Sequence, residues 1–186
     1  MTSTSKRNHR ATRAKDATRD PRPADQLAER YAGPAAEPPP IRGYTAMLGV
    51  FVAAFTGVAL VARRAGLLPR RISLSDTMLL GVATHTLARI MTRERVTIPL
   101  RAPFTRLQGA DGAGEVNEEP RGEELQRAVG SLVTCQYCVG PWIATTLTAG
   151  LLFAPRVTRL ASGMFAMVAI SDFLHQAYAG AREWSR

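Results

Sequence analysis

The sequence predicts an all-α membrane protein of about four transmembrane helices, with a short amphipathic cytoplasmic helix and a disordered N-terminal arm. Three observations carry that prediction. Long apolar runs begin at Tyr44 and recur almost to the end of the chain, separated by short basic connectors. The first 43 residues are rich in Arg, Ala, Pro, Thr and Asp and nearly lack large apolar side chains. The basic residues behind the net charge of +9 gather in that arm and beside the apolar runs, with no folded basic module in view. Such placement suits membrane flanks drawn to anionic headgroups and argues against a nucleic-acid partner.

At 186 residues, one domain plus a tail is expected. The tail, residues 1–43, contains KRNHRATRAKDATRDPRP (Lys6–Pro23) and runs into EPPP (Glu37–Pro40). This composition cannot bury enough apolar surface to offset its ordering entropy, so it is read as disordered. A secretory signal peptide is not expected. The first apolar run starts only at residue 44, and Arg63-Arg64 follow it where a small-residue cleavage site would be required.

Four spans are placed in the membrane domain, residues 44–181. Tyr44–Ala62 is charge-free over 19 residues, close to the roughly 20 that cross a bilayer core. Ser73–Met91 carries Asp76, His85 and Arg89, and its Ser73 and Asp76 have capping-box spacing. Val139–Ala154 is charge-free but short, covering about 24 Å of a core about 30 Å thick; either residues before it complete the crossing or it does not fully cross. Leu160–Ala181 is long enough and includes Asp172 and His175. Pro155 and Arg156 tighten the last connection, so the last two spans are expected to be antiparallel neighbours.

The connector, residues 92–138, reads in three parts. Val96–Arg106 (VTIPLRAPFTR) has two prolines and is expected to be extended. Gly109–Pro120 is acidic and glycine-rich, which suggests a flexible surface turn. In Arg121–Thr134, Leu125, Ala128, Val129, Leu132 and Val133 form one helical stripe opposite Glu123, Glu124 and Arg127. That pattern suits a helix on the membrane surface or against the bundle.

Orientation follows from the basic residues. With the N-terminus inside, the inner segments hold nine, six and two; the outer loops hold four and two. The imbalance predicts both termini in the cytoplasm of a multi-pass cell-membrane protein. The dense connector RRAGLLPRR (Arg63–Arg71) is the feature that argues against it.

From Leu80 to Tyr178 the chain resembles the bacterial domain of unknown function 1360 family, small membrane proteins that include a sporulation protein. The residues carrying the likeness are VTIPLRAPFTR (Val96–Arg106), GEVNEEPRG (Gly114–Gly122), TCQYCVGPW (Thr134–Trp142), LLFAPRVTRL (Leu151–Leu160) and SDFLHQAYA (Ser171–Ala179). Gln136 stands where the family usually has Pro after the first cysteine. The resemblance implies an integral membrane protein and brings no established activity, cofactor or catalytic residue.

Several polar residues fall at one depth on this topology. His85 and Arg89 lie a turn apart near the inner end of the second span; Asp172 and His175 lie in the inner half of the last; Cys135 and Cys138 open the third. A charge within a span calls for a partner, so Arg89 and Asp172 are expected to pair between helices. A packing lock and a proton or ligand path both remain open for that pair. In TCQYCVGPW, Thr134 is the expected helix cap, Pro141 falls in the first turn and Trp142 belongs to an interfacial aromatic belt.

The two cysteines admit three readings. They are small packed residues, a redox pair at a helix N-terminus whose dipole favours thiolate, or half of a zinc site that His85 and His175 would complete. A cytoplasmic disulfide would be transient. No cofactor is expected apart from that zinc alternative.

The chain contains no G-x-S-x-G, H-E-x-x-H or P-loop. Two classes therefore stay open. One is a non-enzymatic scaffold or interaction component of the bacterial envelope. Its surfaces would be Arg101 and Arg106 toward anionic headgroups, and the acidic 115–124 segment toward a basic partner or a second copy. The other is a thiol- or zinc-dependent membrane protein centred on Cys135 and Cys138. A transporter fits less well, since four short spans leave little room for a path.

Overall fold

The apolar runs fold as helices. In the computed structural model, which describes residues 23–32, 38–69, 71, 73–112 and 114–184, the long helices are α2 (Ile41–Arg64), α3 (Leu74–Arg93), α6 (Gln136–Phe153) and α7 (Pro155–Trp184). The shorter ones are α1 (Pro23–Ala32), α4 (Ile98–Arg101) and α5 (Glu124–Thr134), with a single 3₁₀ turn at Arg95–Thr97. A two-stranded hairpin, β1 (Thr105–Asp111) and β2 (Glu115–Pro120), completes the set. Among the described residues, two helices, α2 and α7, are long and apolar enough to cross a membrane. The other two expected spans fall short of that standard. Asp76, Arg89 and Arg93 interrupt α3, and α6 is long enough but diluted by the polar Gln136 and its threonines.

Ion pairs fix how the helices run. Arg159 of α7 holds Asp76 of α3 in a fork, Nε to Oδ1 at 2.8 Å and Nη2 to Oδ2 at 2.9 Å. Arg89 of α3 donates to Asp172 of α7. Both pairs have the same sequence offset, 83 residues, so α3 and α7 run parallel and in step over a length of about 20 Å. The single residue Ala154 joins α6 to α7, which turns α6 antiparallel to both. Near the N-terminus of α6, Ala88, Val139 and Ile143 are buried together, with Leu87, Met91 and Leu147 around them. Elsewhere the buried positions of α3 and α7 are small: Ala83, Thr86, Thr158, Ser162 and Ala169. Large apolar side chains such as Met164, Met167, Ile170, Phe173 and Leu174 are exposed. Hydroxyls within α3 are satisfied by their own helix, as Thr86 and Thr92 donate to the carbonyls of Val82 and Ala88.

The hairpin docks on the end of α3 through Arg101. Its side chain is 1 % exposed and its partner Glu118 is 3 % exposed, with Nε 2.5 Å from Oε2. The other nitrogens donate to the carbonyls of Met91 (2.7 Å) and Glu94 (3.1 Å) and to the Thr97 hydroxyl. One guanidinium thus joins the end of α3, the 3₁₀ turn and β2, which matches its fixed planar fork of donors. The strands pair antiparallel from Thr105↔Pro120 to Asp111↔Glu115, with a register shift between Leu107 and Gly109. Gly112 and Gly114 turn the chain at φ +69° and +90°, values that a side chain would strain.

Helix α5 lies against this hairpin. A Cβ at Gly130 would sit 2.4 Å from the Phe104 carbonyl oxygen and 3.0 Å from Pro120 Cβ. Gly130→Ala is therefore expected to cost about 1–3 kcal/mol through overpacking; an unchanged melting temperature in detergent would count against this close approach. Gly43 seats α2 on α5 in the same way, since a Cβ there would be 2.6 Å from the Glu124 carbonyl oxygen.

Several expectations are corrected. Val96–Arg106 is not extended: it forms the 3₁₀ turn and α4 before β1 begins, because Pro99 enters early in a helix and loses no needed N–H. Gly109–Pro120 is mostly paired strand rather than a flexible turn. Ser73 makes no side-chain cap, and Asp76 is engaged by Arg159 instead. Cys135, not Thr134, caps α6, and Thr134 bonds back to the Gly130 carbonyl. Starting α6 at Gln136 lengthens the short third run and moves Pro141 into the second turn. The chain divides into two units, residues 1–42 and 43–186. Disorder in the tail is corrected for Pro23–Ala32, a helix with Pro23 at its start and Asp25 in its first turn. The rest of that expectation falls largely on residues 1–22 and 33–37, which lie outside the described ones.

Candidate functional site

The first turn of α6 carries both cysteines. Cys135 is extended (φ −110°, ψ 107°) and Gln136 is the first helical residue, so the cysteines sit at the N-cap and third helical positions. That spacing brings their Cα atoms to 5.1 Å, within the range of about 4.4–6.8 Å that a disulfide spans. The two sulfurs are bonded. The Cys138 N–H also points at Cys135 Sγ, 3.2 Å away, as a serine or aspartate cap would receive it. A thiolate at Cys135 would therefore be met by a backbone donor and by the positive end of α6. Cys135 is half-buried and Cys138 exposed. Pro141 removes the N–H that the Tyr137 carbonyl would receive. Next to it, Trp142 meets Phe51 of α2 edge-on, with ring centroids 5.1 Å apart. Tyr44 donates its hydroxyl to Ser131 Oγ at 3.2 Å.

A second constellation surrounds Arg89, near the end of α3. Arg89 is ringed by three carboxylates: Asp172, Glu94 at 3.3 Å and Glu115 at 3.6 Å. They come from α7, the end of α3 and β2. The structure thus brings Arg89 and Asp172 together, and two acids from the connector join them. Sequence reasoning missed Glu94 and assigned Glu115 to an outward acidic surface. An isolated bridge between residues 94 and 115 closes the ring from outside. The acidic signal of 115–124 was visible, but the inward direction of Glu115 and Glu118 depends on strand register.

The zinc quartet is not assembled. Cys135 and Cys138 are bonded to each other, and among the described residues no three or more of His, Cys, Asp and Glu form a group that could hold a metal. The reason is axial. With an offset of 83 between α3 and α7, His85 is level with Val168, and His175 lies seven residues further along, about 10 Å away. His85 instead faces Gln136, with Nδ1 3.3 Å from Nε2. Of the two arginines expected to face headgroups or a partner, Arg101 is buried and spent on the hairpin. Arg106 is exposed, opposite Glu119 on the hairpin.

Comparison with curated proteins and with solved structures found no match. The family comparison did: residues 79–178, from within α3 through the hairpin, the disulfide and Asp172 to Tyr178, match the model of DUF1360, described as a protein of unknown function. The chain belongs to the DUF1360 family.

Proposed function

We propose that this is a four-span protein of the bacterial cell membrane, with both termini cytoplasmic, that works through a reversible Cys135–Cys138 disulfide at the membrane boundary. The four-span reading is supported by helix direction. Alternating spans require α3 and α7 to run the same way, and the two ion pairs offset by 83 residues have that sense. They require α2 to run with α6, and Tyr44 near Ser131 with Phe51 beside Trp142 agrees. Small buried and large exposed residues suit helices that meet each other closely and turn their bulk to lipid. The exposed Arg106 would then lie beside anionic headgroups.

The observation that carries the chemistry is the bonded pair at a helix N-terminus. On the orientation set by the basic residues it faces the cytoplasm, where a standing structural disulfide is uncommon and a transient one is the rule. A cap position that stabilises the thiolate suits exchange. The test is a redox titration of the full chain in detergent, with thiols trapped by alkylation. Half-oxidation is expected in the range of about −120 to −270 mV shared by thiol oxidoreductases. A pair still bonded below about −300 mV would be structural, and one that never closes would be mere packing. Labelling from each side with an impermeant thiol reagent checks orientation; labelling of Cys135 from outside would overturn it. An unreactive pair would leave the scaffold reading, whose exposed surface is Arg106, Glu119, Glu123 and Glu124.

A further inference from the structure

Cys138 lies in the wall of a cavity of about 390 Å³ between α2, α5 and α6, within the span of about 300–1,000 Å³ typical of small-molecule sites. The wall is otherwise apolar and aromatic, with Met47, Phe51, Leu132 and Trp142 among its residues. It has one polar corner, where the Tyr44 hydroxyl meets Ser131. The α2 side is open, since only 6 % of that helix's most apolar stretch is buried, against 17 % for α7. On the four-span reading, this cavity therefore opens to lipid.

We propose that the cavity takes the head of a membrane-soluble quinone, which accepts two electrons from the reduced Cys135–Cys138 pair. The proposal rests on the redox reading above and names its oxidant. A pair that closes must hand two electrons to something. Water-soluble disulfides could approach the exposed side, but they give no reason for sulfur to line an apolar cavity beside the lipid. A quinone head does. It is flat and apolar, suited to a wall built from Phe51 and Trp142. One of its two carbonyl oxygens would accept from the Tyr44 hydroxyl in place of Ser131, whose own proton goes to the Arg127 carbonyl, and its tail would leave toward the bilayer. An acyl chain would fill the same walls but would have no use for the hydroxyls or the sulfur.

The geometry divides the work between the cysteines. Cys138, in the wall, is placed to attack: its thiolate adds to a ring carbon and forms an S–C bond. Cys135, stabilised as thiolate by the Cys138 N–H, then attacks Cys138 Sγ. The S–S bond forms, the S–C bond breaks, and its electron pair stays on the ring. The two protons that left the thiols end on the two ring oxygens. In sum, dithiol plus quinone gives disulfide plus hydroquinone.

The test uses the full chain in detergent, reduced, desalted and kept anaerobic, with one equivalent of a decyl-tailed benzoquinone. One hydroquinone per chain should appear as both thiols vanish. The rate should exceed that of a soluble C-x-x-C peptide in the same micelles by roughly tenfold or more, because the site holds the reactants together. Ser131→Phe, which fills the polar corner, should remove that advantage while glutathione disulfide still closes the pair. Binding is read separately in a Cys135→Ser/Cys138→Ser/Trp184→Phe chain, where quinone should quench the remaining Trp142 and an excess of an alkane of equal length should not relieve that quenching. A pair closed by glutathione disulfide but no faster by quinone than the peptide overturns this proposal alone, as does a rate that Ser131→Phe leaves unchanged. A pair that neither oxidant closes overturns the redox reading as well. Quenching fully relieved by the alkane would mark the cavity as a lipid-chain groove and also overturn the quinone site.

Discussion

Replacing Arg101 by alanine is expected to lower stability by about 3–5 kcal/mol, because it strips the partner from a buried carboxylate. Glu118 is 3 % exposed and would be left charged without a counter-ion. The carbonyls of Met91 and Glu94 would lose donors at the same time. The loss should be local before it is global. Hairpin residues 105–120 should become protease-sensitive at temperatures where the helices remain folded. A second variant separates the pair from the packing. Arg101→Met with Glu118→Leu removes both charges and should be clearly more stable than Arg101→Ala, since an apolar pair of similar volume is often neutral where a broken pair is costly. Equal melting temperatures for the two variants would show that Glu118 is solvated after all. Arg101→Lys should fail nearly as badly as alanine, because an ammonium cannot reproduce the planar set of contacts.

The second large effect is expected at Arg89, and it should be asymmetric. Three carboxylates converge on that one guanidinium. Arg89→Ala leaves Asp172, Glu94 and Glu115 facing each other, at a cost of about 2–4 kcal/mol that combines lost charged hydrogen bonds with like-charge repulsion. Asp172→Asn removes one of three partners and leaves the arginine held by two, so about 1 kcal/mol or less is expected. Thermal melting in detergent reads both. If Asp172→Asn is as damaging as Arg89→Ala, the contact with Asp172 dominates and the ring of acids contributes nothing. If neither variant melts earlier, the cluster is not a lock between α3 and α7.

Much of the helical layout could be read from residue order because it depends on local properties. An apolar run long enough to be a helix becomes one, and Leu160–Ala181 lies within α7 as Tyr44–Ala62 lies within α2. The stripe from Leu125 to Val133 was enough to place α5. The family words between Leu80 and Tyr178 were enough to identify the family, matched over residues 79–178. The connector was harder for a physical reason. Whether Gly109–Pro120 is a loose turn or a hairpin depends on what covers one face of it, and that cover is Arg101 together with α5. Arg101 looked like a surface cation because its sequence neighbours are Leu100, Ala102 and Pro103, none of them acidic. Its partner lies 17 residues away on the second strand. Glu115, placed by sequence in an acidic segment facing a partner, turns inward to Arg89 for the same reason.

The cysteines show the division most clearly. Their three-residue spacing is a local property, and at a helix start it suffices to bring the sulfurs within bonding reach. Sequence alone therefore determined that Cys135 and Cys138 open one helix within reach of each other, together with the helices around them and the family they belong to, while packing, redox and zinc readings all stood. It did not determine what that unit faces. Only the packing of α2 and α5 against α6 put Cys138 in the wall of an aromatic cavity, and only the parallel step of α3 against α7 set His85 and His175 about 10 Å out of level. Contacts between residues close in sequence are set by backbone geometry. Contacts between helices are set by which faces pack and at what axial shift, and a shift of two turns is enough to dissolve a zinc site.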